Sequence, residues 1–393
     1  MLYQLKTTDR VNIQGAPEGE ASMRRRQFLG CAAGAAAIPA LVACGRETAD
    51  GELYGRAVAQ APPRTPWDAQ WRNFEANIAA NPTLKFDYFT KAELGDEERM
   101  LFDLRRGRSH VGGMSLQGLS STIPELTIAM APYLFDSQEE VDFVYDAHMF
   151  DIVDALAAAQ NLKLLQWVEV GWTHMFADRP LTHPDMAQGL RMRTSPNAAA
   201  RFFCEAAGMD AIPLGIADVI PALQTGLVQG GLSSAVFHFF ATLDLAAHFT
   251  LTRHSYDTGA IVLNRDWYDG ATDGQKQTID TAWGSAAEAR AGVRVLDDMV
   301  LAWMREGLQR DREGNVVRPL LTTTGAPIEV HELTAGDKAA WQATTGNVVD
   351  RLVEMLGGRS RDVYDAILAG KAEFARLQGQ ARSAAGSQQE TGS

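Results

Sequence analysis

The sequence predicts a two-lobed α/β protein with a cleft between its lobes. Strand-like runs alternate with helical patterns in two separate blocks, and strands near 171–177 and 258–264 join the blocks. One amphipathic pattern, Thr272 to Arg310, is long enough to cross from one lobe to the other. A chain of 393 residues that is 46% apolar has the material for two cores.

The first block begins with Leu84–Thr90 (LKFDYFT), whose alternation marks a strand. Glu97–Arg106 reads as a helix with an acidic first turn and a basic last turn, both matched to the helix dipole, and Gly107 stops it. His110–Leu116 (HVGGMSL) is a short buried strand whose paired glycines permit a close approach to the backbone. Ser137-Gln138-Glu139-Glu140 is a capping box opening a helix through about Ala159. Leu162–Val170 is a strand that resumes at Thr173–Ala177.

In the second block, Pro184 starts a short helix leading into a strand at Leu190–Thr194. Ser195-Pro196 is expected to cap the next helix, which Gly208 ends. Ile216, Val219, Ile220 and Leu223 form an apolar stripe, although Pro221 removes a backbone donor there. Gly259–Asn264 is a buried strand, and helices are expected around 335–356 and 362–375. Ligands of such sheets bind at the carboxyl ends of strands, between the lobes.

Residues 23–44, MRRRQFLGCAAGAAAIPALVAC, read as a twin-arginine export signal: Arg24-Arg25-Arg26, then an Ala-rich apolar segment too short to span a membrane. Leu41-Val42-Ala43-Cys44 matches a lipobox, which makes Cys44 the expected lipidation site. Met23 is an alternative start. The domain plan is therefore a signal at 1–44 and a polar, Pro-rich tether at 45–66. Lobe I takes 67–172 plus about 260–300, lobe II takes 173–259 plus about 301–378, and 379–393 is a disordered tail. The expected location is periplasmic, on a lipid anchor.

The formal charge is −13. Residues 1–44 hold five Lys/Arg and three Asp/Glu, so the rest carries 31 − 46 = −15. That balance argues against nucleic acid as a partner. An anionic ligand would gain nothing from long-range steering and would depend on one local, desolvated cation. Cys31 and Cys44 fall in the signal, leaving Cys204 as a small apolar residue and no disulfide framework. There is no metal-spaced Cys/His set, phosphate loop, nucleophile elbow or dinucleotide fingerprint. His238, His248 and His254 match no ligand spacing and read as structural or surface residues. Neither a cofactor, a metal nor a catalytic residue is expected.

Five blocks, in order, resemble the DctP-type solute-binding subunits of TRAP transporters: ELGDEERMLFDLRRGR, SLQGLSSTIPEL with MAPYLF, GLRMRTSPN, PALQTGLVQGG and LTRHSYDTGAIVLNRDWYD. The resemblance covers roughly residues 84–310. It implies a periplasmic-binding-protein-like fold with hinge strands, a long helix spanning both lobes, closure around an organic acid, and delivery to membrane permease subunits. It places the family's carboxylate-binding arginine at Arg193. A guanidinium fork meets a carboxylate through two charge-assisted hydrogen bonds, so the role suits the residue. Arg191, two residues before, is expected to be structural or solvent-facing.

Two departures bear on the ligand. Thr173 stands where relatives usually carry a second Arg, and Ser233 replaces a ligand-contacting Asn. A second ligand carboxylate would then be buried without a partner, at a cost of several kcal/mol, which favours a monocarboxylate over a C4-dicarboxylate. Trp172, His174, Phe237, Met114 and Glu93 complete the candidate ligand-binding set. The alternatives are a C4-dicarboxylate receptor, an exported enzyme on the same fold, or a sensory receptor.

Overall fold

The structure, a computed structural model, describes residues 51–311 and 313–390. The signal expected at 1–44, with Met23 and Cys44, lies outside the described residues.

The first lobe is built on three parallel strands. β1 (Leu53–Ala59) opens it; Thr65 then caps α1 (Pro66–Ile78), its hydroxyl accepting from the Asp68 N–H with proline at the first helical position. β2 (Leu84–Phe89), α2 (Glu97–Arg105), β3 (Val111–Ser115) and α3 (Leu116–Ser120) follow, and β1 lies between β2 and β3. The tether expected at 45–66 is thus overturned for residues 53–59. Gly55 and Arg56 interrupt the apolar alternation there, and the glycine is needed because a Cβ would sit 2.4 Å from the Phe86 ring.

α4 (Gln138–Val144) and α5 (Phe150–Ala158) are joined by a π turn at Tyr145–Met149. Ser137 caps α4, but the expected capping box is not closed, because Glu140 accepts from the Asp136 N–H instead. β4 (Leu162–Ala177) is one continuous 16-residue strand. In the second lobe come β5 (Arg191–Thr194), α6 (Ala198–Ala206), β6 (Asp210–Pro213), α7 (Val219–Gln224), β7 (Gly230–Ser233) and α8 (Ala235–Phe237). β5 is parallel to both β6 and β7. The cap of α6 is Asn197, not Ser195-Pro196: its side-chain oxygen accepts from the Ala200 N–H. Of the expected stripe, Val219 is buried while Ile216 and Ile220 are exposed.

β8 (His248–Asn264) returns through both lobes as a 17-residue strand, far longer than its apolar end at 259–264. Its upstream half buries Thr250, Thr252 and His254, polar residues that hide a strand from hydrophobic patterning. β8 pairs antiparallel with β4 along its length, with register shifts at Leu164/Gln166, Glu169/Gly171 and Thr173/Met175. Gly171 (φ +108°) and Arg253 (φ +44°) take left-handed backbone beside these irregularities. Two irregular strands shared by both lobes form the hinge.

α9 (Arg265–Asp269), α10 (Asp273–Thr281) and α11 (Ala286–Glu306) come next. The expected single pattern from 272 to 310 breaks between α10 and α11, where Trp283 stacks on Phe74 at 4.3 Å and Gly284 turns with φ +72°. α11 nevertheless spans the lobes. Its first half packs on α1, and Val300, Leu301 and Met304 enter the second lobe's core with Phe176 and Phe249. β9 (Leu308–Arg310) and β10 (Val316–Pro319) form a hairpin, and β11 (Glu329–Glu332) adds a parallel strand to the start of β8. Among the described residues the main sheet has nine strands, in the order β2-β1-β3-β8-β4-β7-β5-β6, with β11 on β8.

α12 (Ala335–Thr345) packs on α6 in the second lobe, through Trp341 stacked on Phe203. α13 (Val348–Leu356) and α14 (Ser360–Glu390) return to the first lobe: Val348, Leu352, Val363 and Ile367 join Val141 and Val144 in its core. The assignment of 301–378 to lobe II therefore fails beyond α12. The tail expected at 379–393 is helical through Glu390, since its Ala, Gln and Arg residues favour helix.

Below the hinge, α11 is bound to the first lobe by charge. Arg294 grips Glu169 of β4 (2.8 and 2.9 Å) and Asp142 of α4 (2.8 and 3.0 Å), while Arg290 holds Asp146 through two bonds of 2.7 Å. Tyr256 of β8 donates its hydroxyl to the same Glu169. Arg294→Ala leaves Glu169 buried without its cation and should cost about 3–5 kcal/mol in urea denaturation; a loss below about 1 kcal/mol would contradict this network's role.

Candidate functional site

The parallel strands of both lobes end at the cleft. β3 delivers Ser115 and, through α3, Gln117; β5 delivers Arg193 and Thr194; β7 delivers Ser233. The hinge strand β8 supplies Asp257. Charged and polar side chains reach the cleft because a strand's carboxyl end leaves its last side chains beyond the helices that cover the sheet.

Arg193 is 4% exposed. Its Nε donates to the Leu214 carbonyl (3.1 Å) and its Nη1 to the Leu232 carbonyl (3.3 Å), which orients the guanidinium from both neighbouring strands. Phe237 lies beneath it, with its ring centroid 6.0 Å from Cζ. Among the described residues no carboxylate comes within ion-pair distance of Arg193. Burial lowers its pKa to about 10, against a pull upward from Asp257, so it remains a cation at neutral pH. A buried cation of this kind is costly unless an anion completes it.

The carboxylate that acts on it is Asp257, itself buried. Gln117 donates to its Oδ2 at 2.8 Å, while Oδ1 has no partner. Burial, reinforced by Glu97, pushes its pKa up to about 7, against Gln117, the Thr258 N–H and Arg193. Glu97 accepts from the Ser115 N–H (2.7 Å), and burial raises its pKa as well. The Thr194 hydroxyl is also buried without a partner, while those of Tyr145 and Thr258 interact with each other. One cation, two carboxylates and an unpaired hydroxyl converge here, as in a site arranged for a polar ligand.

The expected residues divide. Arg193, Phe237 and Ser233 are together, with Leu232 next to Ser233 accepting from Arg193. Trp172 and Thr173 lie on β4 at the hinge, Trp172 edge-on to Tyr256 at 4.8 Å and Thr173 in register with Ser255. His174 is drawn into the second lobe's core: it packs edge-on against Phe249, its Nδ1 accepts the Arg253 N–H, and burial holds its pKa well below the usual range. Met114 is spent in the first lobe's core. Glu93 is an exposed turn residue accepting from the Lys91 N–H. Arg191 is structural, donating to the carbonyls of Gly226 and Leu227 (2.9 Å each). Asp257, Gln117, Glu97 and Thr194 were not singled out from sequence. Asp257 and Glu97 lie within two of the blocks that carry the resemblance, but only the fold brings them to the same cleft.

A family profile, bacterial extracellular solute-binding protein family 7 (DctP), matches residues 57–355. The chain belongs to that family. It is 22% identical over 309 residues to the C4-dicarboxylate-binding periplasmic protein DctP of Rhodobacter capsulatus, covering 78% of this chain and 87% of that one. The periplasmic ectoine-binding protein of the TeaABC TRAP transporter of Halomonas elongata superposes with a TM-score of 0.72 at 21% identity, covering 81% of this chain and 99% of that one. A TRAP solute-binding protein of Roseobacter denitrificans with bound β-D-glucuronate does so at 0.70 and 19% identity, covering 80% and 98%. The two-lobed architecture is thus that of TRAP solute-binding proteins.

Asp257 binds its proton more tightly folded (pKa about 7) than unfolded (3.8). Stability should therefore fall as pH rises through that window, by up to a few kcal/mol, and level off above it. Asp257→Asn should flatten the fall in denaturation curves taken from pH 4 to 8 without ligand; parallel curves for the two proteins would contradict the assignment.

Proposed function

We propose that the chain is an extracytoplasmic receptor that captures an organic monocarboxylate and delivers it to TRAP permease subunits, without catalysis. The observation that carries this reading is Arg193: buried, oriented by two carbonyls and lacking a carboxylate partner among the described residues. A ligand carboxylate completes its fork through charge-assisted hydrogen bonds in a water-poor cleft. Phe237 and Trp172 offer apolar walls, and Ser233, Thr173 and Thr194 offer small neutral partners.

Asp257 and Glu97 favour one ligand class over another. When ionised they place negative charge near Arg193, where a second ligand carboxylate would meet repulsion as well as the missing arginine at Thr173. A ligand body carrying hydroxyl or cationic N–H groups would instead donate to the free Oδ1 of Asp257. A sugar acid or a zwitterion of the kinds bound by the relatives meets both demands, and a C4-dicarboxylate does not.

The export signal and lipid anchor rest on the N-terminal sequence, Arg24 to Cys44, which supports a periplasmic, membrane-tethered receptor. The enzyme and sensory alternatives gain no specific observation.

Calorimetric titration with the mono- and dicarboxylates selected by a thermal-shift screen tests the reading. Arg193→Ala should weaken binding by about 2–5 kcal/mol, and Thr173→Arg should move preference toward dicarboxylates. Undiminished affinity in Arg193→Ala would remove the anchor.

A further inference from the structure

β11 runs parallel to the first residues of β8, with Glu329 in register with His248 and His331 with Thr250. Glu329 and His331 are two apart and share one face of β11. The pairing brings together His248, Glu329 and His331, from positions more than 80 residues apart in the chain. His248 Nδ1 and His331 Nε2 are 2.9 Å apart, and Glu329 Oε2 lies 3.7 Å from the first and 3.9 Å from the second. Both imidazoles are mostly covered (19% and 20% exposed side chains), while the carboxylate is open to solvent.

From this geometry we propose that His248, Glu329 and His331 form a binding site for Zn2+, separate from the ligand cleft. The three atoms make an acute triangle, and the circle through them has a radius of about 2.1 Å, close to the Zn–N and Zn–O distances of about 2.0–2.2 Å. A single ion near the centre of the triangle reaches all three donors, and a spread of the two rings by about 0.5 Å brings their angle at the ion to the tetrahedral value. Two imidazoles and one carboxylate are a donor set that suits zinc and not Mg2+ or Ca2+, which take oxygen. The ion's remaining position opens to solvent on the Glu329 side. The bound ion joins a four-residue edge strand to the hinge strand β8, beside the Arg305–Glu332 ion pair that fastens the same strand to α11. In the metal-free protein a hydrogen bond between the two rings occupies this space, and zinc displaces its proton.

The test is competition for Zn2+ between the full chain, purified without a histidine tag, and a chromogenic chelator, with Mg2+ as control. The wild type should take up one zinc and melt at a higher temperature with it. His331→Gln should weaken binding on the order of 100-fold and Glu329→Gln by roughly tenfold. At a fixed zinc concentration both variants should show a smaller thermal shift, His331→Gln the smaller of the two, while melting like the metal-free wild type without zinc. Absence of saturable uptake by the wild type, a measurement that needs no variant, would overturn the site. Zinc affinity unchanged in Glu329→Gln and His331→Gln would overturn it too.

Discussion

The cleft is organised around a buried positive charge that no carboxylate among the described residues meets at ion-pair distance. Arg193 is held in place by carbonyls from the segments on either side of its strand, and only the more distant Asp257 offsets the cost of burying it. The strand order follows the same logic. Parallel β5, β6 and β7 end at the cleft in one lobe and parallel β1, β2 and β3 in the other, and each set leaves its polar side chains there. In a chain of formal charge −13, any attraction for an anion has to come from this local arrangement and not from the overall field.

Movement is confined by the parts that bridge the lobes. β4 and β8 cross between them with register shifts and left-handed residues at Gly171 and Arg253, where the ladder is weakest and rotation costs least. Two residues before Gly171, Glu169 is fastened by Arg294 and Tyr256, which holds the first lobe's half of the hinge up to the irregular segment. Arg351 of α13 pairs with Glu205 of α6 and lies 3.9 Å from the Phe202 ring. α6 contributes Ala199 and Phe202 to the core that holds α13, and Phe203, Cys204 and Ala207 to the second lobe's, so it packs on both sides.

Much of the scaffold was legible because its signals are local. Caps, glycine stops and alternation in LKFDYFT or LKLLQWVEV need no tertiary context. β1 was not legible, because Gly55 and Arg56 break its pattern for reasons set by Phe86, thirty residues on. Nor was the first half of β8, whose buried Thr and His residues read as polar until the second lobe closes over them. At the site, Arg193 came from its place in a recognisable block, and Phe237 and Ser233 accompany it. His174 and Met114 were misplaced because sequence position near the hinge or in a glycine-rich strand does not reveal which face a side chain takes. Asp257 went unnoticed for the complementary reason: its partners, Gln117, Glu97 and Arg193, come from three distant segments.

The central claim, that Arg193 awaits a ligand carboxylate, is tested most directly by removing the charge from the ligand. The acid with the largest thermal shift and its primary amide, nearly the same shape, would be titrated calorimetrically into the unmodified protein. If Arg193 is the counter-charge, the amide should bind on the order of 100-fold more weakly, the loss of a charge-assisted pair in a buried site. Equal affinity for acid and amide would show that the buried arginine is not what the ligand is for.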